Sequence, residues 1–222
     1  MKEIKAVVFD IDGTVTPNAN SWLDMTRDLG ASVEEHLILY QAFNKGRISY
    51  EDSKRELLKL WRDTGRATRS QMEGIFMSWP ILPEAEELIS FLRDKGLHVA
   101  FITGSMGMYA EIIAKKFSVL DYHATGELVF DDAGDLVDFQ FPPDGKDHKF
   151  EQLLTFCDNK SIIPQNVIAL GDGMNDLEIF SVTNRGILVG SEKPEALKKV
   201  AWKETASLSE AKELLATFLG GR

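Results

Sequence analysis

Two aspartates one residue apart, Asp10 and Asp12, close the stretch Val7-Val8-Phe9-Asp10-Ile11-Asp12-Gly13-Thr14. Either acid alone reads as a solvated turn residue. As a pair they could also work on one reacting centre, because residues i and i+2 of an extended segment face the same side. Three more stretches supply complementary groups: Thr103-Gly104-Ser105, Lys149, and Gly171-Asp172-Gly173-Met174-Asn175-Asp176. The combined inventory is carboxylates, an ammonium, a hydroxyl, an amide and several glycine N–H groups. Carboxylate oxygens are the hard ligands Mg²⁺ prefers. Lysine, hydroxyl and backbone donors can hold phosphoryl oxygens as charge redistributes on them. Such a set suits a phosphate ester handled with a divalent metal.

Each of these groups follows a short apolar run or opens a helical pattern. Residues 7–9, 98–103, 167–170 and 186–189 are apolar, rich in β-branched residues and stopped by Asp, Gly or Thr, as buried strands are. Between them lie helical patterns. Residues 83–96 carry Pro83 in the first turn, acids early, basic residues late and Gly96 as terminator. Residues 106–117 and 149–157 also fit helices, and Ser207 with Glu210 makes a capping box for the last one. This alternation predicts an α/β fold, a Rossmann-like parallel sheet core with helices on both faces. In such sheets ligands bind at the carboxyl edge of the strands, so loops distant in sequence can meet there.

Residues 20–79 break the alternation. They show four helical stretches with their own stops: Ser21 to Gly30, Ser32 to Gly46, Ser49 to Gly65, and one opening at Thr68. A separate small four-helix bundle inserted after the first strand is expected over 18–79, with 1–17 and 80–222 as the core. Residues 124–141 alternate on either side of Asp131-Asp132-Ala133-Gly134, which predicts a β-hairpin with a solvated acidic turn.

Composition narrows the partners. A chain of 222 residues, 44% hydrophobic and 27% charged, is long enough to bury a sizeable core and ordinary for a globular protein. A formal net charge of -10 argues against nucleic acid or an anionic membrane surface. The lone Cys157 cannot form an internal disulfide. The segment Met1 to Gly13 places aspartates where a signal peptide needs an apolar core, and no apolar run approaches the ~20 residues of a membrane span. A cytoplasmic protein, monomer or homodimer, is expected.

The order DxDGT, a strand ending in Thr, Lys, and GDGxND resembles the haloacid dehalogenase superfamily of phosphohydrolases over nearly the whole chain. The helical insert and the hairpin resemble its phosphoserine phosphatase-like branch. This resemblance implies a Mg²⁺-dependent phosphatase acting on a small phosphomonoester. Asp10 would be the nucleophile that forms an aspartyl-phosphate, and Asp12 the group that protonates the leaving alcohol and later takes a proton from water. Thr103 and the Gly104 N–H would hold phosphoryl oxygens. Asp10, Asp172 and the Asp12 carbonyl would hold the metal. Asp176 would be a water-bridged ligand or would support the ligands from behind, and Asn175 would bond the phosphoryl group or orient the nucleophile. The catalytic lysine is a choice between Lys146 and Lys149. Lys149 opens the amphipathic run Phe150, Leu153, Leu154 and matches the branch's spacing to Asp172, so Lys146 is read as a solvated neighbour.

Other residues carry plainer readings. Ser105 reads as a cap for the following helix. His36, His98, His123 and His148 have no metal-ligand spacing, and Cys157 reads as core. Trp22, Phe43, Trp61, Phe76 and Trp79 read as the core of the helical insert, one of them a candidate pocket wall. GDGMND is not a dinucleotide fingerprint, so no nicotinamide or flavin cofactor is expected. A non-enzymatic binding protein is disfavoured because every essential group is present. A phosphotransferase or phosphomutase would share the aspartyl-phosphate. Phosphoserine itself does not follow from the motifs. Where phosphoserine-specific members carry a glutamate for the substrate amine this chain has Ala19, and where they carry a cap arginine for the carboxylate it aligns Leu57. Arg55 lies two residues earlier, about 200° away around a helix.

Overall fold

The computed structural model describes residues 3–191 and 193–220; Met1, Lys2, Glu192 and the last two residues, which the expected core range includes, lie outside them. Strand β1 (Ala6–Phe9) is buried on both faces and pairs in parallel with β2 (His98–Met106) on one side and β5 (Val167–Gly171) on the other. Parallel strands covered on both faces must be apolar throughout, which is why these runs show no alternation. Beyond β2 lie β3 (Asp121–Phe130) and β4 (Leu136–Gln140); beyond β5 lie β6 (Gly186–Val189) and β7 (Lys203–Thr205). The strand order is β4-β3-β2-β1-β5-β6-β7. All neighbours are parallel except β3 and β4.

The helices connecting these strands are α5 (Pro83–Asp94), α6 (Gly107–Lys116), α7 (Lys149–Lys160), α8 (Leu177–Thr183), α9 (Glu195–Lys198) and α10 (Leu208–Gly220). Two apolar clusters flank the sheet. One contains Phe9, Phe101, Leu88, Leu92 and Leu215, and the other Val8, Ile102, Leu153, Phe156 and Cys157. The alternating directions of successive β1 and β2 side chains feed both clusters, giving the expected α/β layers.

Residues 18–79 form α1 (Ser21–Leu29), α2 (Val33–Asn44), α3 (Tyr50–Arg62) and α4 (Arg69–Ser78). Each starts on a side-chain cap: Asn20, Ser32, Ser49 and Thr68 each accept a bond from a backbone N–H of the first turn. In its packing the insert is not a separate bundle. Met25, Leu29, Trp61, Met72 and Phe76 share one continuous cluster with Phe9, Phe101 and Leu88. Helix α1 lies on β2, and α4 on α6, so the apolar faces of the insert are buried against the sheet layer as well as against each other.

Two further features differ from the sequence pattern. The hairpin forms, with Leu128 opposite Phe139 and Asp131 accepting bonds from the Ala133 and Asp135 N–H groups. Its first strand begins earlier than expected, however, and pairs in parallel with β2 from Asp121 to Gly126, so the hairpin extends the main sheet. Strand β7 has no apolar signature, being two exposed residues and one buried at the sheet edge. A short polar edge strand leaves nothing for hydrophobic periodicity to report.

Trp61 is fully buried and ties α3 to α1, its indole N–H donating to the Thr26 hydroxyl at 2.9 Å. Trp61→Ala should therefore destabilise the whole fold by about 3–5 kcal/mol, the scale for an emptied aromatic site. Because the core is shared, urea unfolding should remain one transition; a separate early melting of the insert would contradict this packing.

Candidate active site

Register brings the motifs together. Phe9 is aligned with Phe101 on one side and Leu170 on the other, so Asp10, Thr103 and Gly171-Asp172 emerge side by side at the carboxyl edge of the sheet. The Asp10 N–H continues the pairing with Leu170 at 2.9 Å. Immediately afterwards the chain leaves the strand, because the Ile11 carbonyl accepts from the N–H groups of Thr14, Val15 and Thr16. Asp10 thus stands at the strand end and Asp12 within the tight turn that follows it. Gly13 makes the turn possible. Its φ is +71°, and a Cβ there would lie 2.1 Å from Asp172 Oδ2.

Lys149 stands at the first turn of α7, entered through His148 in the left-handed region. Its Nζ lies 2.8 Å from Asp10 Oδ2 and 2.9 Å from Asp176 Oδ1, with the lysine 2% exposed. Lys146 is exposed on the preceding loop, so geometry selects Lys149 as the lysine that meets the aspartates. Burial pushes the ammonium pKa down, but Asp10 and Asp176 outweigh burial and hold it above the ordinary lysine range.

Asp10 also accepts from the Ile11 N–H at 2.7 Å, and Asp176 accepts from the Gly173 N–H at 3.3 Å. Among the described residues, Asp10, Asp172 and Asp176 bring carboxylate oxygens within 4.8 Å of one another. Burial raises the Asp10 pKa well above its usual value, against the opposing pull of Lys149. Burial, and then Asp176, raise Asp172 to about 6. Crowded carboxylates with one ammonium between them carry surplus negative charge in a desolvated place, and oxygen ligands so grouped fit a Mg²⁺ ion.

The Asp12 side chain stands apart from that cluster. Its Oδ2 accepts from the Ser21 N–H at 2.9 Å, while Oδ1 is buried and has no partner among the described residues. Burial raises its pKa and so favours the protonated form a proton donor needs, although the bond from Ser21 pulls the other way. Thr103 is 1% exposed, and its hydroxyl accepts from the Ser105 N–H at 3.2 Å. Ser105 does not cap α6, whose start at Met106 has no side-chain cap bond; its hydroxyl pairs instead with that of Ser21.

One residue at the site escaped the sequence reading, and a second was named there only as core of the insert or a candidate pocket wall. Asp147 accepts from the Asn175 amide at 2.7 Å, and its carboxylate lies so close to Gly104 that a Cβ there would sit 2.8 Å from Oδ2. It therefore covers both the Gly104 position and the Asn175 donor; an acid in a polar loop gives no signal that would have found it. Trp22 donates its indole N–H to the Gly104 carbonyl at 3.1 Å and packs its ring on Gly126. Of the aromatics read as core of the insert, Trp61, Phe76 and Trp79 are buried, Phe43 is half-buried, and Trp22 reaches Gly104 on β2 and Gly126 on β3. Ala19 is exposed, Leu57 packs into the core, and Arg55 is exposed and paired with Asp52 and Glu56. Neither aligned position brings a charge to the site.

The model for the haloacid dehalogenase-like hydrolases matches residues 4–182. The chain is 27% identical to a phosphoserine phosphatase of Polaromonas sp. over 81% of its length and 76% of the relative's. It is 26% identical to a phosphoserine phosphatase of Methanocaldococcus jannaschii over 81% of its length and 82% of the relative's. A solved phospho-aspartyl intermediate analogue of phosphoserine phosphatase superposes with a TM-score of 0.70 at 24% identity, covering 96% of this chain and 99% of the other, a likeness of fold.

The raised Asp172 pKa sets a pH dependence. From its ordinary 3.8 up to about 6, native metal-free protein holds a proton the unfolded chain has released, so this group's contribution to stability falls as pH rises through that window. A bound divalent cation relieves the repulsion but competes with the proton. The rise in Tm on adding Mg²⁺ should therefore be large at about pH 7.5 and small at about pH 5, and Asp172→Asn should remove most of the difference. Equal rises at both pH values would contradict the carboxylate site.

Proposed function

The chain belongs to the haloacid dehalogenase-like hydrolases, and from that membership we propose a Mg²⁺-dependent phosphatase that hydrolyses a small phosphomonoester through an aspartyl-phosphate on Asp10. The observation that carries this reading is the buried Lys149 bridging Asp10 and Asp176 at the sheet edge, beside Asp172. Residues 18–79 serve as the cap over a core of 1–17 and 80–222. Among the described residues no helix is long and apolar enough to cross a membrane. Cys157 is free and buried, and a cytoplasmic setting is part of this proposal.

Asp10, Asp172, Asp176 and the Asp12 carbonyl would hold Mg²⁺. When bound, the ion supplies Lewis-acid charge to the phosphoryl oxygens. Lys149 neutralises the Asp10 side of the site, so a carboxylate can approach a phosphate dianion. Thr103 and the Gly104 N–H hold phosphoryl oxygens, with Asn175 joining them once its amide exchanges Asp147 for the substrate. As Asp10 bonds to phosphorus and the ester P–O bond breaks, Asp12 Oδ1 delivers its proton to the departing oxygen. Asp12 then takes a proton from the water that attacks phosphorus, the Asp10–phosphorus bond breaks, and inorganic phosphate leaves.

Two substitutions test these roles. Asp10→Asn should abolish turnover in a folded protein, since an amide is neither nucleophile nor anionic ligand. Asp12→Asn should slow transfer from alkyl esters by about 10²–10⁴, the scale of general acid catalysis, and slow p-nitrophenyl phosphate much less because that leaving group needs little protonation. Single-turnover rates read both; an active, folded Asp10→Asn removes the nucleophile assignment.

A phosphoserine phosphatase is the second reading, favoured by the names of the relatives. Against it, exposed Ala19 and core-packed Leu57 offer no partner to the ammonium or carboxylate of phosphoserine. A charge brought into a closed site without a partner costs several kcal/mol. kcat/KM for L-phosphoserine should therefore fall below that for p-nitrophenyl phosphate and for a phosphomonoester without both charges. L-Phosphoserine as the best substrate of such a panel would establish the second reading.

A further inference from the structure

The surroundings of Asp12 contain a bridge that the reaction as described does not use. Ser21 opens α1, and its backbone N–H donates to Asp12 Oδ2 at 2.9 Å. Its side-chain hydroxyl hydrogen-bonds the hydroxyl of Ser105 on β2. Ser21 is 0% exposed and Ser105 1% exposed, so no water competes for either bond. One further bond fastens the Ser105 strand segment, from its N–H to the Thr103 hydroxyl at 3.2 Å. Asp12 Oδ1 is left buried without a partner.

We infer that Ser105, acting through Ser21, is a positioning residue that fixes the N-terminus of α1 so that Asp12 is held by one oxygen and presents the other for proton transfer. The inference rests on the reading of Asp12 as the acid. Without the hydroxyl pair, the first turn of α1 keeps the Trp22 indole bond to the Gly104 carbonyl of β2, but the Ser21 side chain itself loses its tie to that strand. Asp12 then keeps its chemistry but loses its aim. In the step concerned, the ester P–O bond breaks, its electron pair goes to the departing oxygen, and the proton on Asp12 Oδ1 goes with it. A misdirected acid slows that step in proportion to how much the leaving oxygen needs the proton. Misplacement on the ångström scale costs up to about a hundredfold.

The sequence also permits the N–H itself to be removed. Ser21 is the first helical residue, where proline is tolerated because that N–H has no partner in the helix ladder. Asn20 before it is extended, with φ -158° and ψ 96°, as a residue preceding proline must be. Ser21→Pro thus deletes both the donor to Asp12 and the hydroxyl that meets Ser105.

The test compares single-turnover release of the leaving group from glycerol 2-phosphate and from p-nitrophenyl phosphate, at saturating Mg²⁺, for wild type, Ser105→Ala, Ser105→Thr, Ser21→Ala, Ser21→Pro and Asp12→Asn. Thermal unfolding confirms which variants are folded. Ser105→Ala and Ser21→Ala should each lose about ten- to a hundredfold on glycerol 2-phosphate and less than about threefold on p-nitrophenyl phosphate. Ser21→Pro should lose more on the alkyl ester, and Ser105→Thr, which keeps a hydroxyl, should recover most of the rate. A folded Ser105→Ala or Ser21→Ala that slows both esters equally, or slows neither, overturns the inference. If Asp12→Asn alone shows the leaving-group split, the acid reading stands and the serine bridge falls. If Asp12→Asn shows no split, the acid reading itself falls and takes the bridge with it.

Discussion

Lys149 carries an ammonium group into a place where 1% of its side chain meets solvent, and two carboxylates meet it there at 2.8 and 2.9 Å. A buried charge costs several kcal/mol unless it is paired at close range, and breaking one arm of such a pair costs about 3–5 kcal/mol. The pairing therefore constrains three separate parts of the chain at once. Asp10 must end β1, Asp176 must sit in the short turn after β5, and α7 must begin where its first residue can point beneath both. The left-handed His148 and the tight Ile11 turn are local costs that this arrangement imposes. The same interaction leaves Asp172 and the remaining oxygens of Asp10 and Asp176 with more negative charge than one lysine offsets. Stability and metal affinity are in this way opposite sides of one electrostatic arrangement.

The helical insert is bound to that arrangement from the other side. It packs into the same apolar cluster as the sheet, and its first helix begins at the residue whose N–H meets Asp12. Trp22, one residue later, reaches the Gly104 carbonyl, so α1 touches both the proposed acid and the proposed phosphoryl loop. Asp10 and Thr103, at 5% and 1% exposure, are enclosed in this arrangement. A small rigid-body movement of the insert would change access to Asp10, the hold on Asp12 and the seat of Trp22 together. Asp147 adds a second element of closure, since its carboxylate covers Gly104 and occupies the amide of Asn175.

Much of this was written in the chain in local form. Continuous apolar runs of β-branched residues gave away β1, β2, β5 and β6, because a strand buried on both faces has no polar side to show. The helix starts at Ser21, Ser32, Ser49 and Thr68 were legible because capping is a matter of a few neighbouring residues. Asp10, Asp12, Thr103, Lys149, Asp172, Asn175 and Asp176 were legible as candidate site residues because their order and residue types resemble one family's motifs. Strand β7 and the parallel half of β3 were not, since a polar edge strand and a register with a distant partner leave no local mark.

What the sequence determined by itself is the inventory: which residues can attack, donate, neutralise or ligate, and which elements end beside them. Only the tertiary structure decided where each of them stands and what it meets. It chose Lys149 over Lys146 by burying the first against Asp10 and leaving the second in solvent. Asp12 was placed within the turn after β1, with its side chain attached to the start of α1. Ser105 changed from an expected helix cap to a tie between β2 and the insert, and Asp147 came to rest over Gly104. The physical reason is common to all of these. Propensity, periodicity and capping act over a turn or two of chain, whereas desolvation and charge pairing depend on what the rest of the fold brings within about 3 Å.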